Sequence, residues 1–568
     1  MEPTTIAAQL REIAVYFDLD GDRHRAIAYD RAAKSIEAAK GLHRLLEEGR
    51  LEELPYVGSS IARVVGDLAR RGSSSVLEKL RAKWPAVIVE LAQLPSIGVQ
   101  KARKLHEALH PADLDAVAAA CKAQLVRTLP GFGEVSERKI LTSIEQRRLR
   151  GTREIHIDAE QHALSLAGYL RASDAAKRVE VAGQVRRWSE VVDHIAIAVE
   201  TDHRDVVTDR LANYGLVTSV DRGDGAETVV TARLADGMRC DLHFATHAHF
   251  GWALICATGS PEHVEALKAR AEARGLNLVA LDAPEETDVY KALGLPWLPP
   301  EVRDGTDELA AADAGDDFTD LVTLADVTTA FHCHTTYSDG KDSIEAMARA
   351  AHALGMQAIT ITDHSAAASY AGGLDGAALR AQHAEMAGLT DLPVRLFRGT
   401  EADILADGSI DVPMEIVPEL DVVIASVHQR YKATEDEMTA RLVKTMRQPF
   451  FKIWGHALGR LVLRRDPIAV RIDEVLDAIA ESPAAIEING DPYRLDLDPI
   501  NARKAAARGI PFVLSSDAHS VKGIEAVRWA VAMARRARIR KRQVLNALPP
   551  ELLAERIRPL APGTAARS

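Results

Sequence analysis

Residues 327–334 of the 568-residue chain, VTTAFHCH, form a short apolar run that ends in two histidines. Six further runs of the same kind follow: MQAITITDH (356–364), VRLFRGTE (394–401), DVVIASVH (421–428), FKIWGH (451–456), AAIEING (484–490) and PFVLSSDAH (511–519). Helical stretches such as SIEAMARAAHALG and DEVLDAIAES separate them. This alternation predicts a parallel sheet. Seven units predict a closed or nearly closed β/α barrel, whose chemistry lies at the C-terminal ends of the strands.

Polar residues of the barrel segment collect at those strand ends. They are His332, His334, Asp339, Asp363, His364, Glu401, His428, His456, Asp517 and His519. Imidazoles and carboxylates without thiolates suit Zn, Mn or Fe in a hydrolytic site. One carboxylate such as Glu401 can bridge two ions, which activate a water and stabilise a leaving oxygen. A single histidine could equally cap a strand or lie in the core, but several convergent ligands define a site.

Three other residues of this segment are not expected to be ligands. His332 and His334 share one strand face because they are two residues apart, so Cys333 between them points away. His352 and His383 lie off the strand ends and are predicted to be surface residues.

The motifs HCHTTYSDG, TDH, GTEADI, SVH, GHALGR and SDAHS resemble the polymerase-and-histidinol-phosphatase (PHP) domain. The resemblance implies phosphoester hydrolysis with Mn²⁺ or Zn²⁺, and all nine metal-ligand positions of that family are filled here. It places one ion on His332, His334, Glu401 and Asp517, a second on Glu401, His428 and His456, and a third on Asp339, His364 and His519. Within this set it implies His332, His334, Glu401, His428 and Asp517 as the catalytic residues.

A second pattern occurs three times in residues 1–150, which are predicted to be helical. The copies are Leu54-Pro55-Tyr56-Val57-Gly58, Leu94-Pro95-Ser96-Ile97-Gly98 and Leu129-Pro130-Gly131-Phe132-Gly133, each followed by a helical stretch. They resemble the helix–hairpin–helix motif, in which amides at a helix N-terminus bind a DNA phosphate. The predicted DNA contacts are Gly58, Gly98, Lys101, Gly131 and Gly133, with Arg103, Lys104, Arg138 and Lys139 as further cations. The alternative is a plain helix connector with a Pro-Gly turn.

The whole chain resembles a bacterial family X DNA polymerase with a C-terminal PHP domain. The stretches REIAVYFDLDGDRHRAIAYDRAAKSI, VAGQVRRWSEVVDHIAIAV, CDLHF, ATGSPEHVEAL and LGLPWLPPEVRDG match its landmarks. The resemblance implies a multidomain α+β and α/β fold. Its predicted parts are an N-terminal helical DNA-binding domain (1–75), a fingers-like helical domain (76–150), a nucleotidyltransferase-like palm (151–245), a thumb-like segment (246–310), an acidic linker (311–326) and a PHP domain built as a distorted seven-stranded β/α barrel (327–568).

The nucleotidyltransferase motif of that family, G-S-x-R-R-G and then a G-D-x-D strand, is altered in this chain. The first part reads Gly183-Gln184-Val185-Arg186-Arg187-Trp188 and the strand reads Asp193-His194-Ile195-Ala196, so both metal-binding aspartates are lost. A one-residue slip does not restore them, since carboxylates must stand two residues apart to face one site. The residual polymerase site is Gly183, Asp193, Asp241 and Gly259, and no Mg²⁺ is expected at this palm. Arg186 and Arg187 are interpreted either as DNA contacts or as members of local salt bridges.

Charge and composition limit the protein class. The net charge is −12, yet residues 1–150 and 521–568 are both net positive. The acidic total therefore does not exclude nucleic acid as a partner. Four scattered cysteines, a charged N-terminus and the absence of long apolar runs predict the cytoplasm, with nucleoid association. The acidic stretch DGTDELAAADAGDDFTD (304–320) is predicted to be a linker or surface tail. The basic stretch ARRARIRKRQ (534–543) is either a DNA-facing helix or a solvated helix face.

The sequence therefore predicts a DNA-repair phosphoesterase or 3′-5′ exonuclease on a family X scaffold whose polymerase site is silent. It is expected to bind two to three Mn²⁺ or Zn²⁺ ions and to act as a monomer on gapped or 3′-ended duplex DNA without sequence preference. Three alternatives stay open. They are an active polymerase that fills gaps in base excision repair, a non-catalytic DNA-binding scaffold, and a small-molecule phosphatase of the histidinol-phosphate type.

Overall fold

The computed structural model describes residues 3–39, 42–92, 94, 97–150, 153–223, 228–429 and 432–559. These residues fall into two compact units. The first unit takes its residues from Met1–Arg186, Val191–Thr258 and Leu267–Val289, and the second from Arg187–Glu190, Gly259–Ala266 and Tyr290–Ser568. No helix among the described residues combines the length and the apolar character that a membrane span needs.

The N-terminal part of the first unit is helical, as predicted. Its helices are α1 (Pro3–Leu19), α2 (Arg23–Ala38), α3 (Leu42–Glu47), α4 (Ser59–Arg71), α5 (Ser75–Lys83), α6 (Ala86–Ala92), α7 (Val99–Leu109), α8 (Leu114–Lys122) and α9 (Glu134–Arg150). The apolar residues of α1 recur every three or four positions, and Ile6, Leu10 and Ile13 are fully buried in the helical core. Ser74 caps α5 by accepting a hydrogen bond from the amide of Leu77 at 3.2 Å.

The first unit continues as a mixed α+β region. Its strands are β1 (Glu154–Ile155), β2 (Arg178–Ala182), β3 (Val191–Val192), β4 (His194–Glu200), β5 (Val217–Asp221), β6 (Val229–Leu234) and β7 (Arg239–Ala245), with helices α10 (His156–Arg171), α11 (Gly183–Arg186), α12 (Arg204–Ala212) and α13 (Phe250–Thr258). Five strands form one sheet in the order β2-β4-β7-β6-β5. Helices α14 (Pro261–Ala273) and α15 (Glu286–Ala292) follow, and each is divided between the two units.

The second unit contains the predicted seven-stranded barrel. Its strands are β8 (Thr329–Cys333), β9 (Ala358–Ile361), β10 (Arg395–Asp403), β11 (Val422–Ser426), β12 (Lys452–Trp454), β13 (Ala484–Asn489) and β14 (Phe512–Ala518), and its helices are α16 (Glu308–Asp313), α17 (Ile344–Ala353), α18 (Gly376–Gly388), α19 (Glu435–Met446), α20 (Ile472–Ala480), α21 (Pro499–Ala507), α22 (Val527–Arg536) and α23 (Pro550–Ile557). The barrel is closed and all its strand pairs are parallel. Strands β11 and β13 are buried at every residue, which explains their nearly continuous apolar sequence.

The acidic and basic stretches of the second unit are bound to each other. The ion pairs are Arg535 to Glu301 at 2.7 Å, Arg536 to Asp304 at 3.0 Å, Arg538 to Asp307 at 2.7 Å, Arg540 to Asp320 at 2.6 Å and Lys541 to Asp326 at 2.7 Å. The four arginines of this stretch in these pairs are at most 18% exposed, so they do not form a solvated helix face, and contact of the stretch with DNA stays a prediction. Sequence periodicity could not show this, because the two stretches lie more than 200 residues apart in the chain.

Glu308 is a buried acidic residue whose removal should destabilise the second unit. It is buried, its Oε1 lies 2.6 Å from His263 Nδ1, and it accepts hydrogen bonds from the amides of Gly305 and Thr306. Removing Glu308 leaves buried polar partners without an acceptor, so Glu308→Ala should lower the free energy of unfolding by about 1–3 kcal/mol. Urea denaturation followed by circular dichroism measures this. Asp313→Ala, at an exposed position of the same helix, should change stability by less than about 0.5 kcal/mol; equal losses in both variants would contradict the assignment.

Candidate metal centre and DNA-binding elements

The nine predicted ligands lie at one edge of the barrel. Parallel strands place their carboxyl ends together, so residues on or after these ends converge. The positions are His332 on β8, His334 and Asp339 after β8, His364 after β9, Glu401 on β10, His428 after β11, His456 after β12, Asp517 on β14 and His519 after β14. The side chains of Asp339 and His519 are each 36% exposed, whereas the other seven are at most 7% exposed. The centre therefore opens to solvent on the side of Asp339 and His519.

Glu401 occupies the middle of this cluster. Its two oxygens face five imidazoles: His456 Nε2 at 2.8 Å, His364 Nδ1 at 2.9 Å, His428 Nε2 at 3.2 Å, His332 Nε2 at 3.3 Å and His334 Nε2 at 3.7 Å. The carboxylate itself is buried. A carboxylate surrounded in this way is placed to bridge two ions, as the sequence predicts for it.

Two further carboxylates stand beside Glu401. Asp517 Oδ1 lies 3.4 Å from His334 Nε2, and Asp339 Oδ1 lies 3.3 Å from His519 Nε2. Among the described residues of the barrel, ligand atoms within 4.8 Å of one another form four overlapping groups: His334, Asp339, His364 and His519; His332, His456 and Asp517; His332, His334 and Glu401; and His364, Glu401 and His428. The structure brings all nine together, and their division among ions stays a prediction.

The histidines keep the buried carboxylates ionised. Burial opposes ionisation of Glu401, yet the imidazoles of His428 and His332 hold its pKa well below the ordinary value. Burial acts in the same direction on Asp517, and the nearby His332 and His334 again hold the pKa well below its usual range. Ionised oxygens in a buried site are suited to bind cations.

The donor atoms fit divalent metal ions. Nε2 of His332 and both ring nitrogens of His334 are buried without a hydrogen-bond partner in the described structure. Buried polar atoms normally have such partners, so these nitrogens indicate ligand positions. Their separations of 3.3 to 3.7 Å from carboxylate oxygens are close to the roughly 3–3.5 Å expected when two atoms each lie about 2.1 Å from a shared ion.

Two carboxylates that the sequence analysis missed hold the ligand imidazoles. Glu487 Oε1 lies 2.6 Å from His332 Nδ1, and Asp403 Oδ1 lies 2.5 Å from His428 Nδ1. Each contact leaves Nε2 of the imidazole directed at Glu401. Carboxylates in this position fix the tautomer and orientation of metal-binding histidines. The sequence does contain a signal for these two carboxylates: Glu487 interrupts the apolar strand AAIEING, and Asp403 follows Glu401 by two residues.

Three other predicted residues have different outcomes. Asp363 is buried, but it accepts hydrogen bonds from the amides of Thr335 and Ser338 and so supports the loop that carries Asp339. His352 is exposed, as predicted. The prediction that His383 is a surface residue is wrong: it is 8% exposed, because it lies on the inward face of α18.

The three helix–hairpin–helix copies share one turn geometry. In each copy, the residue at the fourth position is buried, and its backbone amide donates a hydrogen bond to the carbonyl oxygen of the first leucine at 3.0 to 3.1 Å. Pro95 and Ser96 of the second copy lie outside the described residues. At the third position Tyr56 and Gly131 both have positive φ, 63° and 88°, so the turn itself requires the left-handed region. Gly58 and Gly98 immediately precede α4 and α7 as N-cap residues and provide no side-chain hydrogen bond, which leaves N-terminal amides available to a phosphate.

The second and third copies share a shallow cavity. It measures about 380 Å³ and is lined by Lys101 and Lys139 and by Gly133, Glu134, Val135 and Ser136 at the start of α9, so one carboxylate offsets part of the positive charge. Two ammonium groups beside a helix N-terminus suit a phosphate. Arg103 instead pairs with Glu107 on its own helix at 2.7 Å.

The two carboxylates of the residual polymerase site are engaged by neighbouring side chains. Asp193 accepts a hydrogen bond from Gln184 Nε2 at 3.0 Å. Asp241 accepts from Thr231 Oγ1 at 2.8 Å through Oδ1 and from Arg239 Nη2 at 2.6 Å through Oδ2. Neither acid belongs to any group of three potential ligands among the described residues.

The remaining residues of the altered motif make local contacts. Gly183 has φ 64°, and a Cβ there would approach Ala196 Cβ to 2.9 Å. Arg186 forms a bidentate pair with Glu286 at 2.6 and 2.8 Å, and Arg187 lies 3.3 Å from Asp304. These pairs favour the salt-bridge interpretation of both arginines, while DNA contact by them stays a prediction.

Gly259 and Trp188 belong to the second unit. Gly259 precedes Ser260, whose amide donates to the carbonyl of Arg303 at 3.0 Å. The Trp188 ring lies edge-on to Trp529 with centroids 6.4 Å apart, and the Arg528 guanidinium stands over both rings.

Comparison with known proteins identifies the family. The chain is 30% identical over 572 aligned positions to the DNA polymerase/3'-5' exonuclease PolX of Bacillus subtilis (strain 168), covering 96% of this chain and 98% of that protein. The chain belongs to the PolX family. Family models match a helix-hairpin-helix domain at residues 1–74, a SAM-like helix-hairpin-helix tandem at 88–146, a DNA polymerase beta thumb at 253–304 and a PHP domain at 330–491.

This PolX-family chain also matches shorter stretches of other relatives. A probable phosphatase of Caldanaerobacter subterraneus subsp. tengcongensis is 33% identical over 33% of this chain and 74% of its own length. A probable phosphatase of Thermoanaerobacter sp. (strain X514) is 30% identical over 38% and 88%. The PolX-family protein is therefore an enzyme of the phosphoesterase class with DNA-binding hairpin and thumb domains, and its barrel carries groups able to hold metal ions.

Proposed function

We propose that this chain removes 3′-terminal nucleotides or 3′-blocking phosphates from DNA during repair, using Mn²⁺ or Zn²⁺ in the barrel, and that its polymerase site is inactive. The observation that carries the proposal is the contrast between two sites of one chain. Nine ligand-type residues converge in the barrel, whereas both acids of the residual polymerase site are already bound to neighbouring side chains.

The barrel residues have separate tasks in this proposal. Divalent ions, when bound, supply Lewis acidity and a nucleophile at neutral pH. Glu401 and Asp517 are buried, ionised and positioned by histidines, so they can hold cations without rearrangement. The exposed side of the cluster, at Asp339 and His519, is where a phosphodiester can approach. Glu487 and Asp403 keep the imidazoles of His332 and His428 oriented.

The polymerase site is proposed to be inactive because it has too little negative charge. Two-metal phosphoryl transfer requires several carboxylates to hold the ions. The strand β4 offers His194 and Ala196 where the family carries aspartates, and Ala196 stands beside Asp241 in the sheet register. Asp241 is neutralised by Arg239 at 2.6 Å. The site therefore lacks the negative charge that the reaction needs.

A gapped duplex with a 5′-labelled primer tests both halves of the proposal. With Mn²⁺ and without dNTPs, we expect the primer to shorten from its 3′ end. Adding all four dNTPs should produce no lengthening, because the palm cannot hold the required ions. Denaturing gels resolve the two directions on one substrate. Lengthening of the primer would show that the chain is a gap-filling polymerase. A primer that stays intact, while the protein binds two to three metal ions, would reject the exonuclease activity.

The matches to probable phosphatases favour one second candidate, a small-molecule phosphatase. Its substrate would need no duplex-binding hairpins, whereas this chain carries three copies of that turn. Comparing kcat/KM for histidinol phosphate and for a 3′-phosphorylated gapped duplex separates the candidates. We expect the duplex to be preferred by at least tenfold, and the reverse preference would favour the phosphatase.

A further inference from the structure

A short loop beside the metal centre presents one aromatic ring to solvent. It runs from Ser365 to Leu374 between β9 and α18, and most of its side chains are small. Leu374 donates its amide to the carbonyl of His364 at 2.7 Å, which closes the loop onto a predicted ligand. The amide of Ala367 donates to Asp411 Oδ2 at 2.6 Å. The loop is therefore fixed at its ends and along its course.

Close packing also fixes the loop from inside. Ala368 and Ala371 are 0% and 5% exposed. A Cβ on Gly373 would lie 1.9 Å from the carbonyl oxygen of Ser365, so only glycine fits there. Tyr370, between these anchors, is 68% exposed. An aromatic side chain on a fixed backbone loses little conformational entropy when it binds a partner.

The Tyr370 ring stands next to the metal centre. Its centroid lies 6.3 Å from the ring of His364 and 6.5 Å from the ring of His428, and both histidines face Glu401. A phosphodiester held by cations bound at Glu401 would bring the attached nucleoside within reach of this ring. Exposed single aromatics are ordinary, but this ring combines exposure, a fixed loop and contact distance to two predicted ligands.

We infer that Tyr370 is the platform on which the base of the 3′-terminal nucleotide stacks while its phosphodiester is at the metal centre. The inference rests on the proposed function and extends it, because it assigns recognition of a nucleobase to the barrel itself. Stacking on an aromatic face needs no particular base, since every base has a π surface. The site would therefore accept all four terminal nucleotides and discriminate against an end that lacks a base.

Two matched substrates test this role. One is a 5′-labelled oligonucleotide with an ordinary 3′-terminal nucleotide, and the other carries a tetrahydrofuran abasic residue at that position. Tyr370→Ala should lower kcat/KM about 5- to 100-fold on the first substrate, the range expected for loss of one base–aromatic stack. On the abasic substrate, Tyr370→Ala and wild type should agree within twofold. Tyr370→Phe should restore the preference for the base, because the ring is kept.

The possible results separate this inference from the function beneath it. If wild type shortens neither substrate, the proposed exonuclease fails and Tyr370 loses its role with it. If wild type is active and Tyr370→Ala slows both substrates equally, or neither, the stacking role is overturned while the exonuclease stands. Manganese content of each variant, measured by plasma mass spectrometry, should equal that of wild type. A loss of metal in Tyr370→Ala would also overturn the inference, because it would show a structural role in the centre.

Discussion

Replacing His332 and His334 together with alanine should lower Mn²⁺-dependent shortening of a DNA 3′ end by at least about a thousandfold. Both imidazoles are buried, and their Nε2 atoms lie 3.3 Å from Glu401 and 3.4 Å from Asp517. Without them, the two carboxylates lose the neighbours that balance their charge and the ions lose two nitrogen donors. Metal ions supply several kcal/mol of transition-state stabilisation, which corresponds to a factor of this size.

DNA affinity should be preserved in the same variant. The hairpin turns that supply phosphate contacts belong to the first unit, whereas both histidines belong to the second. Fluorescence anisotropy on a gapped duplex should therefore give a Kd within twofold of wild type. His352→Ala, an exposed histidine on a helix of the same unit, is the matched control and should keep full activity. Persistent Mn²⁺-dependent digestion by the double variant would reject the barrel as the hydrolytic site.

The barrel could be predicted from sequence because its information is local. Each strand carries its own apolar run and its own polar end, as in DVVIASVH and FKIWGH, and the carboxyl ends of parallel strands must share an edge. Convergence of residues as distant as His334 and Asp517 follows from that topology alone. Distances, burial and pairing of the imidazoles do not follow from it, since they depend on how the loops pack.

Long-range pairing explains most of what the sequence analysis missed. The arginines after α22 resemble a free basic surface until the acids near α16 are placed opposite them, as with Arg540 and Asp320 at 2.6 Å. No pattern within either stretch specifies the other. The absence of a preceding strand predicts a surface position for His383, yet its place on α18 turns the side chain inward.

In the altered polymerase motif, the sequence shows which residues are lost but not which contacts replace them. Losses such as Ala196 for a family aspartate were visible in the sequence. What replaced the missing interactions was not: Gln184 binds Asp193, and Thr231 and Arg239 bind Asp241. Residue identity shows which group is absent, but the partners of the remaining groups come from tertiary structure.

Glu487→Gln should weaken Mn²⁺ binding by about 10- to 100-fold, the range found when a carboxylate behind a metal-binding histidine is removed. Glu487 offers two acceptor oxygens to three donors: His332 Nδ1, the backbone amide of His456 and, at 3.3 Å, Asn489 Nδ2. Glutamine has one acceptor and one donor in the same space, so one of these N–H groups must face another N–H group. The imidazole of His332 then loses its fixed tautomer and its aim at Glu401.

A metal titration distinguishes this positioning role from general damage to the fold. The Mn²⁺ concentration that gives half-maximal activity should rise about 10- to 100-fold, while activity at saturating Mn²⁺ should recover to within a few-fold of wild type. Glu474→Gln, at an ion-paired acid 54% exposed on α20, should leave the titration unchanged. Loss of maximal activity with an unchanged Mn²⁺ midpoint would contradict the role. That result would mean that Glu487 affects turnover and not the binding of Mn²⁺. Misorientation of His332 should instead show as weaker Mn²⁺ binding.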